Sequence, residues 1–274
     1  MKFKIAVVQF KITPQNPKRN FERVEKFIQQ AVEKNANVII FPEDCITGSI
    51  FGDRTKLDHD FSYRNTFQQL AKKYRIDIVA GSFMEGAPRG AFSTSYYIDS
   101  RGKVLAGYQK TNLYHSERYF LNPGTEVAVF DTKYGKAGIV ICWDIMFPEL
   151  FRRMMRLGVQ IVYCPSYWYE EIAGEGCKIY SKSQQNLIDA ISVARATENN
   201  IVFVYANAAG KTVNPNKSID ILIGHSQIVT PFAGALAKCS HNREAMFIQE
   251  VDTSILTLSD KAYRFREDIF GRIV

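Results

Sequence analysis

The sequence predicts an α/β protein in which a large mixed sheet system is covered by helices. Short apolar runs of strand length alternate, from end to end, with segments whose apolar residues recur at helical spacing. Hydrophobic residues make up 46% of 274, enough for one large core. No Pro/Gly/Ser-rich linker and no internal repeat divides the chain, so a single domain over residues 1–274 is expected.

Each element has a local reason. Phe3 to Phe10 is apolar and β-branched enough for a buried strand. Asn16-Pro17 has the form of a helix cap followed by proline at the first helical position, and Phe21, Val24, Phe27, Ile28, Ala31 and Val32 continue at helical spacing. Val38 to Phe41 is a short strand stopped by Pro42. A second helix carries Phe61, Phe67, Leu70, Ala71 and Tyr74, and a strand from Asp77 to Phe83 follows. Ser93 to Asp99 and Lys103 to Gln109 flank Ser100-Arg101-Gly102, a hairpin turn. Lys136 to Cys142 is a buried strand. Phe147 to Leu157 is helical, with Pro148 tolerated in the first turn and Gly158 as its stop. Val159 to Cys164 is a strand ended by Pro165, Ser181 to Asn199 a long helix, and Ile201 to Ala206 a strand. Further strands are expected at Ile221 to Val229, Ala235 to Cys239 and Met246 to Val251, with longer loops at residues 165–180 and 208–220.

Composition narrows the function. Charged residues are 23% of the chain, which excludes disorder as its main character. No apolar run approaches the ~20 residues of a membrane helix. Lys plus Arg is 35 against 28 Asp plus Glu, a formal charge of +7, but no block of five or six basic residues occurs. No nucleic-acid or membrane partner is expected. Five cysteines, Cys45, Cys142, Cys164, Cys177 and Cys239, form no CxxC pair and are odd in number, which fits reduced thiols in a cytoplasm. The apolar stretch after Met1-Lys2-Phe3-Lys4 is too short for a signal-peptide core, and the sequon Asn216-Lys217-Ser218 reads as chance.

Walker, dinucleotide-fingerprint, HExxH, zinc-spaced Cys/His and GxSxG patterns are all absent, and the four histidines are far apart. Three polar residues instead stand at the ends of buried strands. Glu43 follows Val38-Ile39-Ile40-Phe41-Pro42, where partial desolvation suits a carboxyl to proton transfer near neutrality. Lys110 ends the strand after the hairpin turn and can hold a developing oxyanion. Cys142 ends Gly138-Ile139-Val140-Ile141, with a helix starting a few residues later, so a helix N-terminus is expected to favour its thiolate and make it the most reactive thiol.

Together these segments resemble the nitrilase superfamily of carbon–nitrogen hydrolases over essentially the whole chain. Phe41-Pro42-Glu43 resembles its glutamate motif, Lys110-Thr111-Asn112-Leu113 its lysine motif, and Cys142-Trp143-Asp144 with Phe147-Pro148-Glu149 its cysteine motif. Ala6-Val7-Val8-Gln9, Ala194-Arg195-Ala196-Thr197-Glu198-Asn199, and Gly224-His225-Ser226 with Pro231 and Gly234 agree with its flanking segments. Glu117 resembles the second glutamate that lies near the lysine and cysteine. The resemblance implies a four-layer αββα sandwich, pairing into a homodimer or higher homo-oligomer. It implies catalysis by Glu43, Lys110 and Cys142 through a thioester, with the backbone N–H of Trp143 helping to hold the oxyanion and Glu117 positioning Lys110 or the substrate. It implies no metal and no organic cofactor.

Trp143-Asp144, where true nitrilases more typically have Trp-Glu, points to an amide substrate, with a nitrile or an N-carbamoyl amine as alternatives. An inactive binding module on the same fold is the alternative from another class; the presence of all four polar residues argues against it. Met146 stands where several amidase branches have arginine before Phe-Pro-Glu, which argues against a carboxylate-bearing substrate. The family places the loop after Cys164 on the pocket rim, where Tyr167 and Trp168 are candidate pocket residues and Glu170, Glu171 and Glu175 are expected to make the rim acidic.

Overall fold

The computed structural model describes residues 1–214 and 217–271. Asn216 of the sequon and residues 272–274 lie outside the described residues. The first half runs β1 (Lys2–Gln9), α1 (Pro17–Glu33), β2 (Val38–Ile40), α2 (Ser62–Tyr74), β3 (Asp77–Val79), β4 (Phe83–Ala87), β5 (Gly90–Ile98), β6 (Val104–Gln109) and β7 (Ala128–Thr132). Then come β8 (Gly135–Ile139), a 3-10 turn at Cys142–Met146, α3 (Pro148–Arg156), β9 (Ile161–Ser166), α4 (Gly176–Ile179), α5 (Ser183–Glu198) and β10 (Val202–Asn207). The chain continues through β11 (Ala209–Val213), β12 (Ile219–Ile223), β13 (Gln227–Thr230), β14 (Gly234–Lys238) and β15 (Ala245–Asp252) to α6 (Ser254–Tyr263) and α7 (Phe265–Phe270). The Asn16 side chain caps α1 by accepting the Arg19 N–H at 3.1 Å, and Pro17 occupies the first turn, where no N–H is needed.

Two sheets form the centre. One has the order β15-β1-β2-β3-β5-β4, with β6 also paired to β5; the other has the order β14-β13-β10-β9-β8-β7. The period-2 alternation of β1 builds the layers. Phe3, Ile5 and Val7 face inward and share a core with Ile139, Tyr163 and Val204 of the second sheet. Ala6, Val8 and Phe10 face outward onto Val24 and Ile28 of α1 and Phe67 of α2. Tyr97 and Tyr163 meet between the sheets, with ring centroids 5.7 Å apart. On the far face of the second sheet, Phe203 of β10 packs edge-on against Phe151 of α3, centroids 5.8 Å apart. The result is the four-layer αββα sandwich.

Several elements differ from the sequence expectation. The strand expected from Asp77 to Phe83 is two, because Gly81 turns the chain at φ +75°. The strand expected from Ile221 to Val229 breaks at Gly224 and His225, both at positive φ. Much of the loop expected over 208–220 is the antiparallel hairpin β11–β12, with Thr212 opposite Asp220. β7, α6 and α7 had no expected counterpart. No helix among the described residues is long and apolar enough to cross a membrane.

Candidate active site

Glu43, Lys110 and Cys142 converge at one end of the seam between the two sheets. Glu43 follows β2 and Lys110 follows β6, both in the first sheet; Cys142 follows β8 in the second. β6 pairs with β5, which runs antiparallel to β3, so Gln109 and Lys110 reach the same edge as Glu43. Ligand sites of α/β sheets lie beyond such strand ends. Lys110 Nζ donates to Glu43 Oε1 at 2.9 Å and to Glu117 Oε1 at 2.8 Å. The Lys110 side chain is 1% exposed and that of Glu43 3%. Glu43 Oε2 accepts the Tyr167 backbone N–H at 2.9 Å, and Glu117 Oε2 accepts the Tyr114 N–H at 2.7 Å. Cys142 lines the same cavity as Glu43 and Lys110, close enough for the Glu43 charge to act on its thiol.

Two glycines allow the approach. A side chain on Gly81 would meet the Pro42 carbonyl oxygen at 2.2 Å, so only glycine lets that turn support the Glu43 loop. A side chain on Gly124 would meet the Gln109 carbonyl oxygen at 2.2 Å, while its own N–H binds the Lys110 carbonyl at 2.9 Å. Cys142 itself sits at φ +45°, a left-handed conformation costing ~1–3 kcal/mol for a residue with a side chain. Asp144 holds that turn: Oδ2 accepts the Ile141 N–H at 2.9 Å and the Tyr108 hydroxyl at 2.8 Å, and Oδ1 accepts the Asn112 N–H at 2.8 Å. A buried carboxyl thus ties the cysteine turn to the segment that carries Lys110. Arg195 of α5 donates from Nε to the Ile145 carbonyl at 3.0 Å, closing the turn from behind.

The electrostatics follow from burial. Desolvation pushes the Glu43 carboxyl above its usual range, with Lys110 pulling the other way. Desolvation and the Glu43 charge push the Cys142 thiol well above its usual value, opposed by Lys110. A 3-10 turn stands where a thiolate-favouring helix N-terminus was expected, and burial favours the neutral form of the Cys142 thiol. Burial works against the Lys110 charge, but Glu117, Glu43 and Cys142 outweigh it and hold its pKa well above the lysine value.

These groups open into a cavity of about 460 Å³, a size suited to a small molecule. Tyr114, Trp143, Tyr167 and Tyr169 supply aromatic walls, and Asp44 and Asp220 further carboxyls. Tyr167 lines the cavity as expected. Trp168 does not: it points the opposite way from Tyr167, is fully buried, stacks behind Trp143 with centroids 5.4 Å apart, and donates Nε1–H to Gln184 Oε1 at 2.8 Å. Glu170, Glu171 and Glu175 are likewise outside the cavity lining. Gln185 donates to Glu170, the Ile221 N–H to Glu171, and Lys178 to Glu175. Met146 packs against the core rather than into the cavity. Sequence reasoning missed Asp44, Asp144 and Asp220; only the first two had a signal, adjacency to Glu43 and Cys142. Among the described residues no group of His, Cys, Asp and Glu is placed to hold a metal ion.

The fold and this arrangement define a class, and comparison with known proteins places the chain in it. The family model for carbon-nitrogen hydrolases matches residues 4–258; the chain belongs to that family. It is 28% identical over 256 residues to 2-oxoglutaramate amidase of Bacillus subtilis, covering 92% of each. It is 28% identical over 274 residues to N-carbamoylputrescine amidase of rice, Oryza sativa subsp. japonica, covering 92% of this chain and 86% of that protein. The crystal structure of Saccharomyces cerevisiae Nit3, a member of branch 10 of the nitrilase superfamily, superposes with a TM-score of 0.80 at 25% identity, covering 95% of this chain and 94% of that one.

Proposed function

We propose that the chain hydrolyses the C–N bond of a small amide through a thioester on Cys142. The observation that carries this reading is the cluster itself: a carboxyl and an ammonium joined by a buried hydrogen bond, and a buried thiol from a third strand end, line one cavity. Glu43 takes the thiol proton as sulfur attacks the amide carbon, and the C=O electron pair moves onto oxygen. Lys110 has three N–H donors; two serve Glu43 and Glu117, and the third serves the oxyanion together with the backbone N–H of Trp143. Glu43 returns its proton to nitrogen, the C–N bond breaks, and ammonia or an amine leaves. Glu43 then takes a proton from water, the hydroxide displaces the thiolate, and Cys142 recovers its proton. Glu117 fixes the Lys110 ammonium and reaches the chain through Tyr114. Two similar proteins named as amidases support an amide substrate.

The same reading extends to a homodimer in the cytoplasm; the five cysteines are free of disulfides. The test is an ammonia-release screen over amides, nitriles and carbamoyl amines, with Cys142→Ala alongside. Turnover of an amide by the native chain, abolished in a variant with unchanged circular dichroism, is the expected result. Undiminished turnover by Cys142→Ala contradicts the reading.

A further inference from the structure

We propose that the cavity holds an ammonium subsite in which Asp220, beyond the Tyr167 hydroxyl, and Asp44, beside Glu43, select a substrate carrying a protonated aliphatic amine. This rests on reading the cavity as the site of amide hydrolysis. The charge inventory comes first. Four carboxyl groups, Glu43, Asp44, Glu117 and Asp220, line the cavity against one cation, Lys110. Lys110 is bonded to Glu43 and Glu117. Among the described residues, Asp44 and Asp220 have no cationic partner. Asp44 is 4% exposed, and its Oδ1 is buried with no hydrogen-bond partner. The Asp44 carboxyl, which lines the cavity, therefore has acceptor capacity that the described residues leave unused.

Tyr167 sets the distance. Its backbone N–H binds Glu43 and its hydroxyl donates to Asp220 Oδ2 at 3.0 Å. Asp220 therefore stands about one tyrosine side chain away from the reacting groups. Asn214 Nδ2 donates to the same Oδ2 at 2.8 Å, fixing the carboxylate on β12. Burial first, then the Asp220 carboxylate, and more weakly Asp44, push the Tyr167 phenol well up, so both acids act at its hydroxyl. Burial with the charges of Glu43 and Glu117 pushes Asp44 well above its usual range, a cost that an arriving ammonium reverses. Between the two ends, Tyr114 stands edge-on to Trp143 and Tyr169, with centroids 5.1 and 6.2 Å away, walls suited to methylenes and to a cation. A substrate carboxylate would instead meet unmatched acids.

The ammonium has two chemical sources, an ω-amino amide or the N-carbamoyl derivative of a diamine. The test measures kcat and KM for two matched pairs: 5-aminopentanamide against hexanamide, and N-(4-aminobutyl)urea against N-pentylurea. A kcat/KM at least tenfold higher for the cationic member of one pair, carried by KM, is expected, and the preferred pair identifies the source. Asp220→Asn, which retains an acceptor for the Tyr167 hydroxyl, should shrink that preference at least tenfold, and Asp44→Asn should shrink it too. Equal or better turnover of the neutral members overturns the subsite. So does an Asp220→Asn variant that lowers both members of a pair by one factor, since that marks a merely structural role. If neither pair is turned over, the hydrolytic reading is what fails. Calorimetry on Cys142→Ala then decides the subsite: pentylammonium binding more tightly than 1-pentanol upholds it, and equal binding overturns it.

Discussion

Lys110 is the residue on which the site turns. It is buried, yet its charge is held by two carboxylates, Glu43 and Glu117, so that removal of Lys110 would leave two largely buried acids facing each other without a cation between them. A compact ammonium offers three N–H groups to three acceptors around one point, which a planar guanidinium cannot copy in the same space. Lys110→Arg is expected to lower kcat by a hundredfold or more, of the order of the ~3 kcal/mol carried by one oxyanion donor. Near-normal turnover by that variant would sink the oxyanion assignment. Glu43, Lys110 and Cys142 were legible as polar strand ends only once their motifs were taken together as resembling the nitrilase superfamily, and Glu117 only through its resemblance to that family's second glutamate. Asp220 was not, since its neighbours Asn214, Pro215 and Ser218 have the composition of a loop and nothing local marks a residue that reaches the site only through tertiary packing.

At the scale of elements, the β4–β5 pair carries a titration of its own. Tyr96 of β5 donates its hydroxyl to both oxygens of Glu85 on β4, at 3.0 and 2.7 Å. Burial nevertheless pushes the Glu85 carboxyl from 4.5 to about 7; the Tyr96 bond opposes this and the Asp58 charge adds to it. A carboxyl with a raised folded pKa contributes stability that is full below 4.5 and lost as pH rises through about 7, a loss of roughly 3 kcal/mol by pH 8. Glu85→Gln is expected to shrink the difference in urea stability between pH 5 and pH 8 by about that amount; an unchanged difference would show that Glu85 does not carry it. Elements buried on both faces, such as Val38–Ile40 and Ile161–Ser166, were legible from apolar runs alone. β11 was hidden by Gly210 and Lys211 in a half-exposed hairpin, and the split of β3 from β4 by a glycine whose φ no composition reveals.

For the whole molecule, the two central sheets make the chemistry possible. One delivers Glu43 and Lys110, the other Cys142 and Tyr167, and only their packing brings the four together. The surface beyond the sandwich includes exposed Phe232, Tyr263 and Phe270, with Phe232 and Tyr263 rings 5.2 Å apart, consistent with burial against a second copy. Light scattering at micromolar concentration is expected to give twice 31.2 kDa, and a single species of 31.2 kDa would refute the dimer. The central claim, that Cys142 is acylated during turnover, is tested most directly by intact-mass spectrometry of the enzyme acid-quenched while turning over an amide. The account predicts a mass increment equal to one acyl group, mapped by peptide analysis to Cys142 and absent from Cys142→Ala. Steady ammonia release with no such increment, or an acyl group on another residue, would contradict it.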